Sequence, residues 1–231
     1  MALPELVPAL AGILEHGTLL AFAASQPDRR ELRGRGTAYA IVIPGTAIRA
    51  VVRHNRHGGL FARLTGDLFL RPTRAPTELA ISRQLGAAGI PTPRVLGYVV
   101  YEVGPALARA DVVTSEVAPS VDLGAALSQS QPESARRAAL RATASLVATL
   151  SRFGAYHQDL NVKNVLLGGT AEAPSPYVLD VDRITFGNDP REALQWNLDR
   201  LARSARKHRD RFAAAVSDAD LAWLRQQAAT A

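Results

Sequence analysis

His157-Gln158-Asp159-Leu160-Asn161-Val162-Lys163-Asn164-Val165-Leu166-Leu167, followed by Tyr177-Val178-Leu179-Asp180-Val181-Asp182, is the part of the sequence that decides the fold. Asp159 lies two residues after His157, and Asn164 five after Asp159, directly before an apolar run that reads as a strand. A second short strand delivers Asp180 at its end. Hard oxygen donors at the ends of neighbouring strands suit magnesium, which takes one or two carboxylates with an amide or phosphates. A carboxylate on the loop between them can orient a hydroxyl and accept its proton.

That order of residues is the arrangement of a protein-kinase-like catalytic loop and metal-binding Asp. Phosphoryl transfer from ATP needs little covalent work from the protein; it needs an aligned hydroxyl and neutralised phosphate oxygens. Asp159 is therefore expected to be the base, Asn164 and Asp180 the magnesium ligands, and Asp182 an auxiliary ligand. Lys163 either meets phosphate charge or stands in solvent. His157 is expected to brace the loop by hydrogen bonding. Short motifs such as His-x-Asp or Asp-x-Asp are common alone; their joint order and strand context carry the reading.

The remaining parts lie upstream. Thr37–Ile43 and Ala47–Arg53 read as strands around the turn residues Pro44-Gly45. Gly34 and Gly36 precede the first of them, where a phosphate-covering loop belongs. Arg53 closes the second, at the place of a kinase lysine, and Glu78 opens a helix predicted over Thr77–Ala88. Arg53 and Glu78 together would aim a cation at phosphates, although a planar guanidinium is not equivalent to an ammonium. Strands are predicted over Val95–Tyr101 and Ala110–Val117, a long helix over Pro132–Arg152, and helix again over 190–230. The expected fold is α+β and kinase-like. It forms a single domain over 1–231, with a β-rich N-lobe (about 25–117) and a short helical C-lobe (about 118–231).

Composition narrows the classes. The chain has 231 residues, 47% hydrophobic and 21% charged, as ordinary globular proteins do. With no cysteine there is no disulfide framework, cysteine-bound zinc or thiol nucleophile. The net charge of +6 is confined to the first half: residues 1–110 hold 13 basic and 7 acidic residues, and the rest balance. Six Arg and two His crowd between Arg49 and Arg74, with Asp67 the one acid among them. Such a patch suits phosphates or an anionic membrane surface. Nucleic acid is not expected, with 6% aromatics and no recognition motif. The apolar stretch 1–25 is interrupted by Glu5, Glu15, Pro4 and Pro8 and reads as neither a signal peptide nor a span. A cytoplasmic protein, resting on a membrane surface, is the expectation.

Four stretches resemble the lipopolysaccharide core sugar kinases, most closely those of the 3-deoxy-D-manno-octulosonic acid (Kdo) type. They are Gly34–Thr37, Val52–Leu60 with its Gly58-Gly59, Gly89–Arg94, and His157–Asn164 together with Leu179–Arg183. They fall within residues 33–183, about two thirds of the chain. The resemblance implies that Asp159 is the catalytic Asp. It also implies an ATP-dependent enzyme at the cytoplasmic face of the bacterial inner membrane, phosphorylating the 4-hydroxyl of Kdo on a lipid A precursor.

Departures from protein kinases bear on the acceptor. Asp-Phe-Gly is replaced by Asp180-Val181-Asp182, no Ala-Pro-Glu segment follows, and 49 residues remain after Asp182. This points to a small or lipid-linked acceptor. Heptose or an aminoglycoside-like molecule is an alternative acceptor. A non-catalytic kinase-like module binding membrane through its basic patch is the alternative from another class.

Overall fold

The computed structural model describes residues 1–33, 36–55 and 68–231, which form two compact units. Gly34, Gly58, Gly59 and Asp67, named above, lie outside the described residues, as do Arg56, His57 and Arg63 of the basic patch.

The first unit comprises residues 1–83 and 93–116. In chain order it contains α1 (Val7–Leu14), α2 (Leu19–Ser25), β1 (Arg30–Arg33), β2 (Thr37–Val42), β3 (Arg49–His54), β4 (Phe69–Leu70), the start of α3 (Ala75–Ala87), β5 (Val95–Val103) and β6 (Leu107–Ser115). The strands make one antiparallel sheet in which β2 pairs β1 and β3, while β6 pairs β3, β4 and β5. The predicted turn is present, with Gly45 at φ 72°, a backbone region glycine enters without strain.

Alternation along the strands decides what covers the sheet. Leu6, Leu10, Ile13, Leu19 and Ala23 pack with Ile41, Val52, Leu96 and Val113. Val112, one residue earlier, faces the opposite way and packs with Ala75, Leu79 and Ala110. So α1 and α2 cover one face and α3 the other. The apolar stretch 1–25 is thus largely core-forming helix, a role its pattern did not announce. No single helix among the described residues is long and apolar enough to cross a membrane, and Pro4–Leu14 and Leu19–Ser25 are bent by 78° at their break.

The second unit comprises residues 84–92 and 117–231. It contains β7 (Ser120–Asp122), α4 (Leu123–Ala126), α5 (Glu133–Arg152), β8 (Ala155–His157), β9 (Val165–Gly169), β10 (Pro174–Val178), β11 (Ile184–Phe186), α6 (Pro190–Phe212) and α7 (Asp218–Thr230). Its strands form two small antiparallel sheets, β7-β9-β10 and β8-β11. Helix α5 buries Ala139, Leu140, Thr143, Ala144, Leu146, Val147 and Leu150, and the buried Thr143 hydroxyl is satisfied by the Ala139 carbonyl at 2.8 Å.

The helical region predicted over 190–230 is two helices. Asp189 caps α6, accepting from the Arg191 and Glu192 amides, with Pro190 in the first turn. The helix ends at Ala213, which has φ 52°. Ser217 and Asp220 then form a capping box that starts α7. The second site strand also ends earlier than the sequence suggests. β10 stops at Val178, and Asp180 heads a 3-10 turn over Val181–Arg183.

Candidate active site

In the second unit the site is built on the hairpin of β9 and β10. Val165 pairs with Val178 across it, and the ladder extends one step further because Leu179 N–H donates to the Asn164 carbonyl at 2.9 Å. Asn164 and Leu179 therefore face each other at the hairpin mouth, and Asp180 is the next residue. The Asn164 side chain is buried, and its Nδ2 donates to the main-chain carbonyl of Asp159 at 2.8 Å. Asn161 Nδ2 donates to the same oxygen at 2.9 Å. With its nitrogen so used, Asn164 has Oδ1 as the atom that could meet a metal. Asp159, Asn164 and Asp180 are thus brought together by one bond from the Asn164 side chain and one ladder bond of the main chain.

Two further strands hold the other side of this loop. β8 and β11 are antiparallel, with Ile184 opposite His157, and Gln158 N–H donates to the Arg183 carbonyl at 2.8 Å. His157 is fully buried. Its Nε2 lies 2.9 Å from the Leu179 carbonyl, and its Nδ1 accepts from the Asp159 amide at 3.1 Å. One donor and one acceptor describe a neutral imidazole with the proton on Nε2. Burial holds its pKa below the ordinary histidine value, against the raising effects of the Leu179 carbonyl and of Asp180, Asp159 and Asp182. The ring braces the Asp159 loop against the segment that carries Asp180.

Asp180 is exposed and adopts φ 53°, ψ 46°, a left-handed conformation costly for a residue with a Cβ. Such outliers persist where surrounding bonds over-determine them, and they cluster at functional positions. Here the fixing contacts are the Leu179–Asn164 ladder bond before it and the Arg183 N–H donating to its carbonyl at 3.1 Å after it. Asp182 has ordinary 3-10 geometry, is only 13% exposed, and has Arg183 Nε at 3.8 Å. Lys163 is exposed beside Asn164, its amide donating to Asn161 Oδ1 at 2.9 Å.

Helix α6 supplies residues that the sequence reading missed. Asn197 is fully buried and uses its whole amide: Oδ1 accepts from His157 N at 3.0 Å, and Nδ2 donates to the Ala155 carbonyl at 2.9 Å and to Ser151 Oγ at 3.2 Å. Trp196 Nε1 donates to the His157 carbonyl at 3.3 Å, and Ser204 Oγ accepts from Val162 N at 3.2 Å. A polar Asn on the apolar stripe of Ala193, Leu198 and Leu201 was the available signal.

The first unit holds the other half of the expected set. Arg53 on β3 pairs with Glu78 on α3, whose carboxylate is almost wholly buried, and Arg53 Nη1 donates to Asn55 Oδ1 at 3.0 Å. Gly36 stands directly before β2. The basic patch is revised by its surroundings. Arg49 pairs with Glu116 and Arg71 with Glu102, at 2.5 and 2.9 Å. His54 Nδ1 contacts the fully buried Asp111 at 2.5 Å. Asp111 also accepts from Tyr101 and from the Leu20 amide. Burial raises the Glu116 pKa, but the hydrogen bonds from Arg49 and Arg30 outweigh it and hold the carboxylate below its usual range. Carboxylates distant in sequence fold back onto the patch, so these described members are largely neutralised.

Among the described residues, no group of three or more His, Asp or Glu side chains is gathered for a metal ion. The donor set nevertheless fits magnesium. One amide oxygen and one carboxylate leave coordination positions to phosphate and water, as this reluctantly dehydrated cation prefers.

Comparison with known proteins extends the geometry. The lipopolysaccharide kinase (Kdo/WaaP) family model matches residues 23–227. The 3-deoxy-D-manno-octulosonic acid kinase of Vibrio vulnificus (strain YJ016) is 31% identical over 183 residues, 76% of this chain and 72% of that protein. The enzyme of the same name from Actinobacillus succinogenes is 29% identical over 193 residues, 81% of this chain and 79% of that protein. A solved structure of WaaP in complex with acyl carrier protein superposes with a TM-score of 0.53 at 20% identity, covering 96% of this chain and 95% of that one. This last likeness is one of fold, and it agrees with the α+β, kinase-like architecture.

Proposed function

The chain belongs to the lipopolysaccharide kinase (Kdo/WaaP) family and is a phosphotransferase acting on a sugar hydroxyl, and from that premise we propose that it moves the γ-phosphate of ATP to the 4-hydroxyl of Kdo on a lipid A precursor. The observation that carries this reading is the Asn164–Asp159 bond at 2.8 Å, which ties the loop bearing the base to the hairpin bearing the metal ligands. Asp159 holds the acceptor hydroxyl in line and takes its proton. Asn164 Oδ1 and the Asp180 carboxylate would hold magnesium, which when bound neutralises phosphate oxygens. Asp182, beside Arg183, assists as an auxiliary ligand.

Arg53, kept in place by Glu78, meets phosphate charge, and Gly36 and Lys163 add to the phosphate-binding set. The same reading puts the protein peripherally at the cytoplasmic face of the inner membrane, where its substrate's anionic leaflet attracts basic side chains.

The test is a transfer assay with labelled ATP and magnesium, offering Kdo-lipid A, heptose-bearing core and free aminoglycosides in parallel. Label should enter Kdo-lipid A and be lost when the 4-hydroxyl is blocked. Transfer to heptose alone would replace the proposed acceptor, and transfer to none would remove the reading.

A further inference from the structure

Trp196, Arg200 and Ser204 stand four residues apart along one ridge of α6. The two ends of the ridge touch the Asp159 loop, Trp196 at the His157 carbonyl and Ser204 at the Val162 amide, at 3.3 and 3.2 Å. Arg200 stands between these two anchoring residues on the same helix ridge. Its guanidinium carbon lies 4.5 Å from the centroid of the Trp196 ring. Stacking on an aromatic face preorients a guanidinium and lowers the entropy lost when it binds.

What this cation lacks is an anion. Its Nε is buried and has no hydrogen-bond partner, and no carboxylate pairs with the group among the described residues. Other arginines in this region are answered: Arg206 and Arg209 pair with Asp218, and Arg225 with Asp199. A buried donor left unsatisfied in a native protein calls for an explanation.

We propose that Arg200, stacked on Trp196, is the subsite that takes the carboxylate of the acceptor sugar. The proposal rests on the reading of the acceptor as an ulosonic acid, which carries its carboxylate on the sugar that bears the reactive hydroxyl. One planar, singly charged fork matches one carboxylate. A phosphate monoester carries about −1.5 to −2 charges at neutral pH and is less well matched by a single cation. Anchoring the sugar acid beside the loop orients the ring for Asp159, which is positioning of the kind that raises rate without new chemistry.

Trp196 itself supplies the readout. The chain has two tryptophans, and Trp223 on α7 is stacked with Arg137 of α5, so Trp223→Phe leaves Trp196 as the one tryptophan emitter. This protein is titrated with free Kdo, with its methyl ester, and with inorganic phosphate. Kdo should change the emission saturably, and masking the carboxylate as the ester should weaken binding roughly 10- to 100-fold. Arg200→Gln should weaken Kdo binding by the same factor and abolish the distinction between acid and ester; Arg200→Lys should fall between.

Equal binding of acid and ester by the unaltered Arg200 site, or no response to Kdo, would overturn the proposal without reliance on any Arg200 variant. Tighter binding of phosphate than of Kdo would overturn it as well. ATP-dependent transfer to Kdo-lipid A, measured on the same preparation, separates the two readings. Carboxylate-dependent Kdo binding without transfer would sink the proposed reaction and keep the subsite. Transfer with no dependence on the carboxylate would do the reverse.

Discussion

The Asn164 side chain donates to the main-chain carbonyl of Asp159 at 2.8 Å, so one residue both ties down the Asp159 loop and keeps Oδ1 for the proposed magnesium. These two duties can be parted. Asn164→Ala should lose both, lowering turnover by about 100-fold and stability by about 1 kcal/mol. Asn164→Asp keeps an oxygen donor but loses the N–H. It should therefore lose stability like the Ala variant while retaining magnesium-dependent ATP binding. Melting temperature and calorimetric ATP affinity on both variants check this.

Asp159→Asn preserves shape and removes the proton acceptor. Turnover should fall about 10²- to 10⁴-fold, with ATP affinity and melting temperature close to those of the parent. Loss of ATP binding in step with turnover would assign Asp159 a structural role instead.

The left-handed backbone of Asp180, φ 53°, marks it rather than Asp182 as the residue held under strain for a ligand. Asp180→Asn should cut turnover by at least 10-fold and weaken magnesium-ATP binding. Asp180→Gly, which relieves the backbone, should raise stability by about 0.5–1 kcal/mol relative to Asp180→Ala. Thermal melts of the three variants, alongside Asp182→Asn, decide which Asp carries the metal.

His157 gives a pH dependence with a defined sign. Burial depresses its folded-state pKa below the unfolded value, so between the two the unfolded chain binds more protons. Its contribution to stability is full above about pH 6.5 and is lost as pH falls from there through the depressed folded value. Protonation also turns Nδ1 from an acceptor into a donor facing the Asp159 amide, so turnover should fall on the same acid limb. Denaturant midpoints from pH 5 to 8 should slope in the parent and flatten in His157→Gln.

Gly154 is required for steric reasons. Its φ is 69°, and a Cβ there would stand 2.1 Å from the Gly187 carbonyl oxygen. Gly187 N–H donates to the Gly154 carbonyl at 2.9 Å, closing the β8–β11 pair that leads into the site. Gly154→Ala should destabilise by about 3 kcal/mol, seen as a shifted urea midpoint, while Gly12→Ala, in open space on α1, should not.

The sequence alone determined which candidate residues share one hairpin and which elements display them. Asp159, Asn164 and Asp180 fall at fixed intervals around two short apolar runs, and local spacing is enough to place them on one hairpin. Period-two and helical patterns likewise located β2, β3, β5, β6, α3 and α5 to within a few residues. What the pattern could not supply was whatever depends on partners far along the chain. The stretch 1–25 lacks one continuous amphipathic period because it folds as two short helices bent by 78° at their break, each with its own few buried residues. Asn197 gives no motif; its amide matters because α6 folds against β8 some 40 residues earlier. The basic patch looked like one field of charge because Glu78, Glu102, Asp111 and Glu116 are remote in sequence. Coulomb attraction acts through space, and only the tertiary fold sets those carboxylates against Arg53, Arg71, His54 and Arg49. The same rule, with the opposite outcome, left Arg200 beside Trp196 with no acid among the described residues brought to meet it.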